Sequence, residues 1–126
     1  MERYLNLITK VEPLGGKEIN GINCRTMYHI GDNFIIEVGI CEHDKTDKND
    51  LANLWVKHGY IDRFLPTTAH IQTYYTDNNN NCYGYYNIQH KRHSNKVDFD
   101  YMLEATPENI NRLLAECIRM YEKNIR

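Results

Sequence analysis

Apolar and polar positions alternate with period two along much of this chain, the signature of half-buried strands. In FIIEVGIC, residues 34–41, Phe34, Ile36, Val38 and Ile40 share one face, and Glu37 falls on the other beside Ile35 and Gly39. CRTMYHI, residues 24–30, precedes it across the turn Gly31–Asp32–Asn33, which predicts a hairpin. KVDFDYMLE, residues 96–104, alternates strictly, with Val97, Phe99, Tyr101 and Leu103 inward and Asp98, Asp100 and Glu104 outward. RYLNLITKV, residues 3–11, is rich enough in branched and aromatic residues to predict a first strand. EPLGGKEINGIN, residues 12–23, holds one Pro, three Gly and two Asn, and reads as a loop.

Helical spacing replaces alternation in two places. After the charged segment HDKTDKND, Asp47 is the expected cap, with Asp50 in the first turn. Leu51, Leu54, Trp55 and His58 recur at i, i+3, i+4, i+7, and Gly59 suits the position after the last turn. That stripe predicts Trp55 in the core and His58 at a buried edge. YIDRFLP, ending at Pro66, is a short connection. Thr106–Pro107–Glu108 starts a second helix, with a hydroxyl cap and Pro at the first helical position. Its apolar stripe is Ile110, Leu113, Leu114, Cys117, Tyr121 and Ile125, with Arg112, Glu116, Arg119 and Lys123 elsewhere on its surface. The expected fold is a single α+β domain over residues 1–126. It is an antiparallel meander of five or six strands packed on one face by two helices, the second C-terminal. Nothing in the chain alternates βαβ or carries a glycine-rich strand-to-helix turn.

IQTYYTDNNNNCYGYYNIQHKRH, residues 71–93, places five tyrosines around four consecutive asparagines and ends in a basic run. A four-residue loop at Asn78–Asn81 sets Asp77 opposite Cys82 and Tyr75 opposite Gly84. One face of that hairpin then carries Tyr74 against Tyr85, Thr76 against Tyr83, Gln72 against Asn87, and His70 against Gln89. Three rings, Tyr74, Tyr83 and Tyr85, on a polar face are able to stack a base or another protein's side chains. Lys91, Arg92, His93 and Lys96, with His90, adjoin that face as phosphate contacts. The plainer reading is that tyrosine suits strands and that cross-strand pairs stabilise hairpins by a few tenths of a kcal/mol each.

Composition narrows the function classes. The chain of 126 residues is 41% hydrophobic and 25% charged, an ordinary globular balance for one domain. Its net charge is −2, and neither half departs far from neutrality, so no whole-protein footprint for duplex nucleic acid exists. No cationic start followed by an apolar run suggests a signal peptide, and no apolar stretch approaches about 18 residues. Cys24, Cys41, Cys82 and Cys117 are scattered, which reads as free thiols in a reducing compartment. The protein is therefore expected to be cytoplasmic, with no membrane association. Abundant asparagine, tyrosine and isoleucine fit an AT-rich genome, such as that of a bacterium or its phage.

Enzyme signatures are weak. Cys41-x-His43 and His90-x-x-His93 do not match zinc-ligand spacing, and the second lies in a basic run that repels a cation. Asp98, Asp100 and Glu104 alternate along one strand face, the pattern of a solvated face. Cys117 falls on the apolar helix stripe, Cys82 has no nearby histidine, and Ser94 lacks a glycine-flanked elbow. Glu37 is the acid expected to be partly buried, paired with an arginine such as Arg25. The leading expectation is a small non-enzymatic binding or inhibitor protein without cofactor or metal, presenting its tyrosine face to a protein partner. A nucleotide or single-stranded nucleic-acid module using that face and the basic run comes second. A metal-dependent hydrolase built on His70, Asp98 and Asp100 comes last. A homodimer through the sheet edge or the C-terminal helix is also expected.

Overall fold

A computed structural model describes residues 2–32, 34–76, 82–83, 85–87, 92–94 and 103–124, with side-chain surroundings for 2–32, 34–73, 103–119 and 121–122. The elements run α1 (Glu2–Leu5), β1 (Ile8–Pro13), β2 (Glu18–Ile19), β3 (Ile22–Asn23), β4 (Arg25–Ile30) and β5 (Phe34–Glu42). They continue α2 (Leu51–Lys57), β6 (Thr67–Thr76), β7 (Cys82–Tyr83), β8 (Tyr85–Asn87), β9 (Arg92–Ser94) and α3 (Pro107–Asn124). Five strands form one sheet in the order β1-β4-β5-β6-β7, antiparallel at every pairing. The fold is α+β, with the last helix C-terminal. Among the described residues no helix is long and apolar enough to cross a membrane.

The central hairpin follows from alternation. Phe34, Ile36, Val38 and Ile40 of β5 are all buried, and they pair with Tyr75, Thr73, Ile71 and Ala69 of β6. Ile110, Leu113, Leu114, Cys117 and Ile118 of α3 belong to the same core cluster. Tyr121 stacks on Phe34 with ring centroids 4.2 Å apart and planes 4° from parallel. That geometry is worth about 0.5–1.5 kcal/mol beyond area burial. Thr106 caps α3 as its sequence predicts, its hydroxyl accepting from the Asn109 N–H at 3.1 Å.

Several expectations are corrected. The strand predicted over 3–11 is instead a short helical turn followed by β1. Tyr4 and Leu5 of the turn pack on the core, and pairing with β4 begins only at Ile8. The loop over 12–23 contains a hairpin, β2 with β3, joined by Asn20 and Gly21 at φ 54° and 79°. Asn-Gly supplies two consecutive positive φ values at low cost, and it is the strongest local hairpin signal. The α2 cap is Asp50, not Asp47: Asp50 accepts from the Ala52 N–H at 2.8 Å, whereas Asp47 closes its own turn onto Asn49 N–H. The buried face of the helix also differs from the predicted stripe. Ala52 is buried, Leu54 and Trp55 are half-buried, and Leu51 and His58 are exposed. Gly59, at φ 78°, does follow the helix in the left-handed conformation.

The hairpin at 71–93 also differs from expectation. β6 pairs with β7 as Tyr75↔Tyr83 and Thr76↔Cys82, one residue away from the predicted register. Residues 77–81 then lie between the strands, and a one-residue slip moves every partner to the other face. β8 pairs with β9 in a two-stranded sheet, as Tyr85↔Ser94, Tyr86↔His93 and Asn87↔Arg92, rather than extending the pairing with β6. The asparagine loop at 78–81 and residues 96–102 of the strand predicted over 96–104 lie outside the described residues. Leu103 and Glu104 run beside the start of β6, through Ala69 N–H to Leu103 C=O and a bridge between Thr68 and Glu104.

Candidate functional site

The second face of the sheet carries the residues that alternate with the core. Register places Arg25 across from Gly39, Gly39 across from His70, Glu37 across from Gln72, and Cys41 across from Thr68. Gly39 thus sits at the centre of a ring. Arg25 and His70 lie on the neighbouring strands, and Glu37 and Cys41 precede and follow it on β5. A Cβ built on Gly39 meets nothing within 4 Å. The missing side chain leaves a cavity of about 370 Å³, lined by Cys24, Arg25, Glu37, Cys41, His70 and Gln72 around Gly39. Such a volume lies at the low end of the range for ligand sites, roughly 300–1,000 Å³.

Electrostatics fixes the walls. Arg25 donates from Nη2 to Glu37 Oε1 at 2.9 Å, the pairing expected from sequence. Glu37 is 12% exposed and Arg25 61%, so the carboxylate is embedded while the guanidinium reaches out. His70 is buried, and burial together with the nearby His43 pushes its pKa below the usual 6.5. The Cys41 thiol is pushed up by burial and by the Asp50 carboxylate, which disfavours the thiolate and makes it a poor nucleophile.

One network next to this cavity has the order of a hydrolase triad. Asp50 Oδ1 lies 2.9 Å from His43 Nδ1, and His43 Nε2 lies 2.7 Å from Thr68 Oγ1. Thr68, however, is 0% exposed, so its hydroxyl cannot reach a substrate. The arrangement is a strap. Asp50 also accepts from Asp44 N–H and Ala52 N–H, so one carboxylate joins the end of β5, the α2 N-terminus and β6. Burial alone would raise its pKa, but those two N–H groups and His43 hold it below the usual 3.8. Trp55 closes the far side, edge-on to His43 at 5.6 Å.

His70 and Asp50 set the same pH sign. His70 is kept neutral in the fold, so the unfolded chain binds its proton more readily and stability falls as pH drops below about 6.5. Asp50 adds its own loss as pH falls through its depressed folded value. The urea midpoint is therefore expected to decline from pH 7 to pH 5, and His70→Gln should flatten that decline. An unchanged slope in His70→Gln would rule out His70 as its source.

Of the residues predicted for a binding site, His70 and Gln72 meet in this cavity. Tyr74 follows them on β6 at the position paired with Ile35. Tyr83 is placed in β7, Tyr85 and Asn87 in β8, and Arg92 and His93 in β9, by backbone alone. Lys91 and Lys96 lie outside the described residues. Sequence reasoning passed over Gly39, although an isolated glycine inside an alternating strand signals a close approach or a gap. It also missed the His43 strap, whose partners are seven and 25 residues away. Among the described residues no group of three metal-ligating side chains forms. The chain matches no protein-family model, no curated protein and no solved structure.

Proposed function

We propose that the protein is a small non-enzymatic binding module that grips a protein partner with the second face of its sheet, acting by occupancy as an inhibitor or accessory factor. The observation that supports this most is the cavity over Gly39, an open position walled by charged and amide side chains. A side chain projecting from a partner fills such a gap, while the Arg25–Glu37 pair and the Gln72 amide supply directional contacts at its rim. Tyr74, which alternates with Gln72 and His70 along β6, extends the same reading as an aromatic anchor. Binding is favoured over catalysis because the only carboxylate–imidazole–hydroxyl series among the described residues is buried, and the Cys41 thiol is shifted away from reactivity.

Site-specific photocrosslinking tests the reading. A benzophenone side chain at Gln72 is expected to trap a defined protein species in a lysate of the source cells. The same group at exposed Glu108, on the first turn of α3, should not. Identical crosslinked species from the two positions would sink the proposal.

A further inference from the structure

A second cavity, independent of the sheet face, lies beside α1 and α3. It measures about 370 Å³, with Tyr4, Leu103, Leu113 and Ala115 supplying an apolar lining and Arg112, Glu116 and Arg119 the charges. Positions 112, 116 and 119 stand at i, i+4 and i+7, on one stripe of α3 spanning about 10 Å along its axis. Glu116 holds Arg119 through two bonds, Nε to Oε2 at 3.1 Å and Nη2 to Oε1 at 2.8 Å. That fork fixes the Arg119 plane. Arg112, one turn earlier, is exposed and makes no ion pair with any described residue. Arg3 adds a further cation, its guanidinium 5.3 Å from the centre of the Tyr4 ring.

We infer that this groove is a binding site for a small amphipathic anion, an aromatic or acyl body bearing one carboxylate, sulfonate or phosphate. The described lining carries two guanidinium groups against one carboxylate, and since Glu116 engages Arg119, Arg112 carries the net positive charge of that lining. The apolar lining takes the body of the ligand, the arrangement of most small-molecule sites: an apolar wall with a few convergent polar groups. Arg112 meets the anion as a charge-assisted donor, with the Arg119 fork set in place beside it. A cation is refused, because Glu116 is already committed to Arg119.

Anilinonaphthalene sulfonate, an aromatic body with a single sulfonate, is a suitable probe. Titration of the full chain should give saturable fluorescence enhancement with one site per chain, weakening as salt rises. Phenyl phosphate should displace the probe, and uncharged benzyl alcohol should not. Arg112→Glu is expected to weaken the probe by about tenfold or more at an unchanged thermal midpoint, with Arg112→Lys retaining most of the affinity. If Arg112→Glu fails to fold, Arg112→Gln serves the same comparison. Lys57→Gln, which removes an exposed cation in the last turn of α2, should bind the probe as the parent does. Unchanged affinity in a folded Arg112 variant, no saturable binding up to about 1 mM, or equal displacement by benzyl alcohol would each overturn the inference.

Discussion

Asp50→Ala is expected to destabilise the fold by about 2–4 kcal/mol, lowering the thermal midpoint by roughly 10 °C for a domain of this size. Two losses combine. Removing the side-chain acceptor at the α2 N-terminus costs about 0.5–2 kcal/mol. Leaving the His43 Nδ1 position without its partner, in a side chain that is 5% exposed, adds about 1–3 kcal/mol. The Asp44 N–H loses its acceptor as well. Asp47→Ala is the contrast. Asp47 is exposed and closes only its own turn, so its loss should stay within about 1 kcal/mol. A comparable cost for the two variants, read by urea titration, would show that the strap does not hold β5, α2 and β6 together as described.

That pair also shows where sequence reading loses its grip. Alternation located β4 and β5 within a residue and assigned Phe34, Ile36, Val38 and Ile40 to the core, because one period-two pattern admits one buried face. Proline at 107 with threonine before it located α3 for an equally local reason. The start of α2 was less legible. Asp44, Asp47 and Asp50 all suit a cap, and the choice among them depends on His43, which the fold brings to Asp50 through the turn of the 43–50 segment. Tyr4 and Leu5 have strand-like composition, but packing on the core as a helical turn overrides that weak preference.

The candidate site was half legible. Glu37 reads as an acid embedded in an apolar strand, and its pairing with Arg25 followed from charge alone. Gly39 carried a signal in plain view, yet its neighbours come from β4 and β6, and cross-strand register is not a local property. Nothing near Gly39 in the chain tells that Arg25 and His70 flank it.

Gly39→Val is the second large prediction, and its two effects run in opposite directions. Glycine inside a strand costs about 0.5–1 kcal/mol relative to alanine, and valine is among the best strand residues. Open space surrounds the new Cβ, and φ at Gly39 is not positive, so the backbone accepts a Cβ there without strain. The fold should be as stable as before or more so by up to about 1 kcal/mol. Its isopropyl group, however, occupies the cavity floor that a partner side chain would fill, and steric exclusion there should weaken association by about tenfold or more. Few substitutions strengthen a strand and remove a binding site together. The deciding measurement is therefore the yield of the Gln72 crosslink in Gly39→Val against the parent, with the thermal midpoint of each recorded in parallel. A lost crosslink at an equal or higher midpoint is the predicted result, and a crosslink retained in full at that midpoint would contradict the assignment of this face as the binding surface.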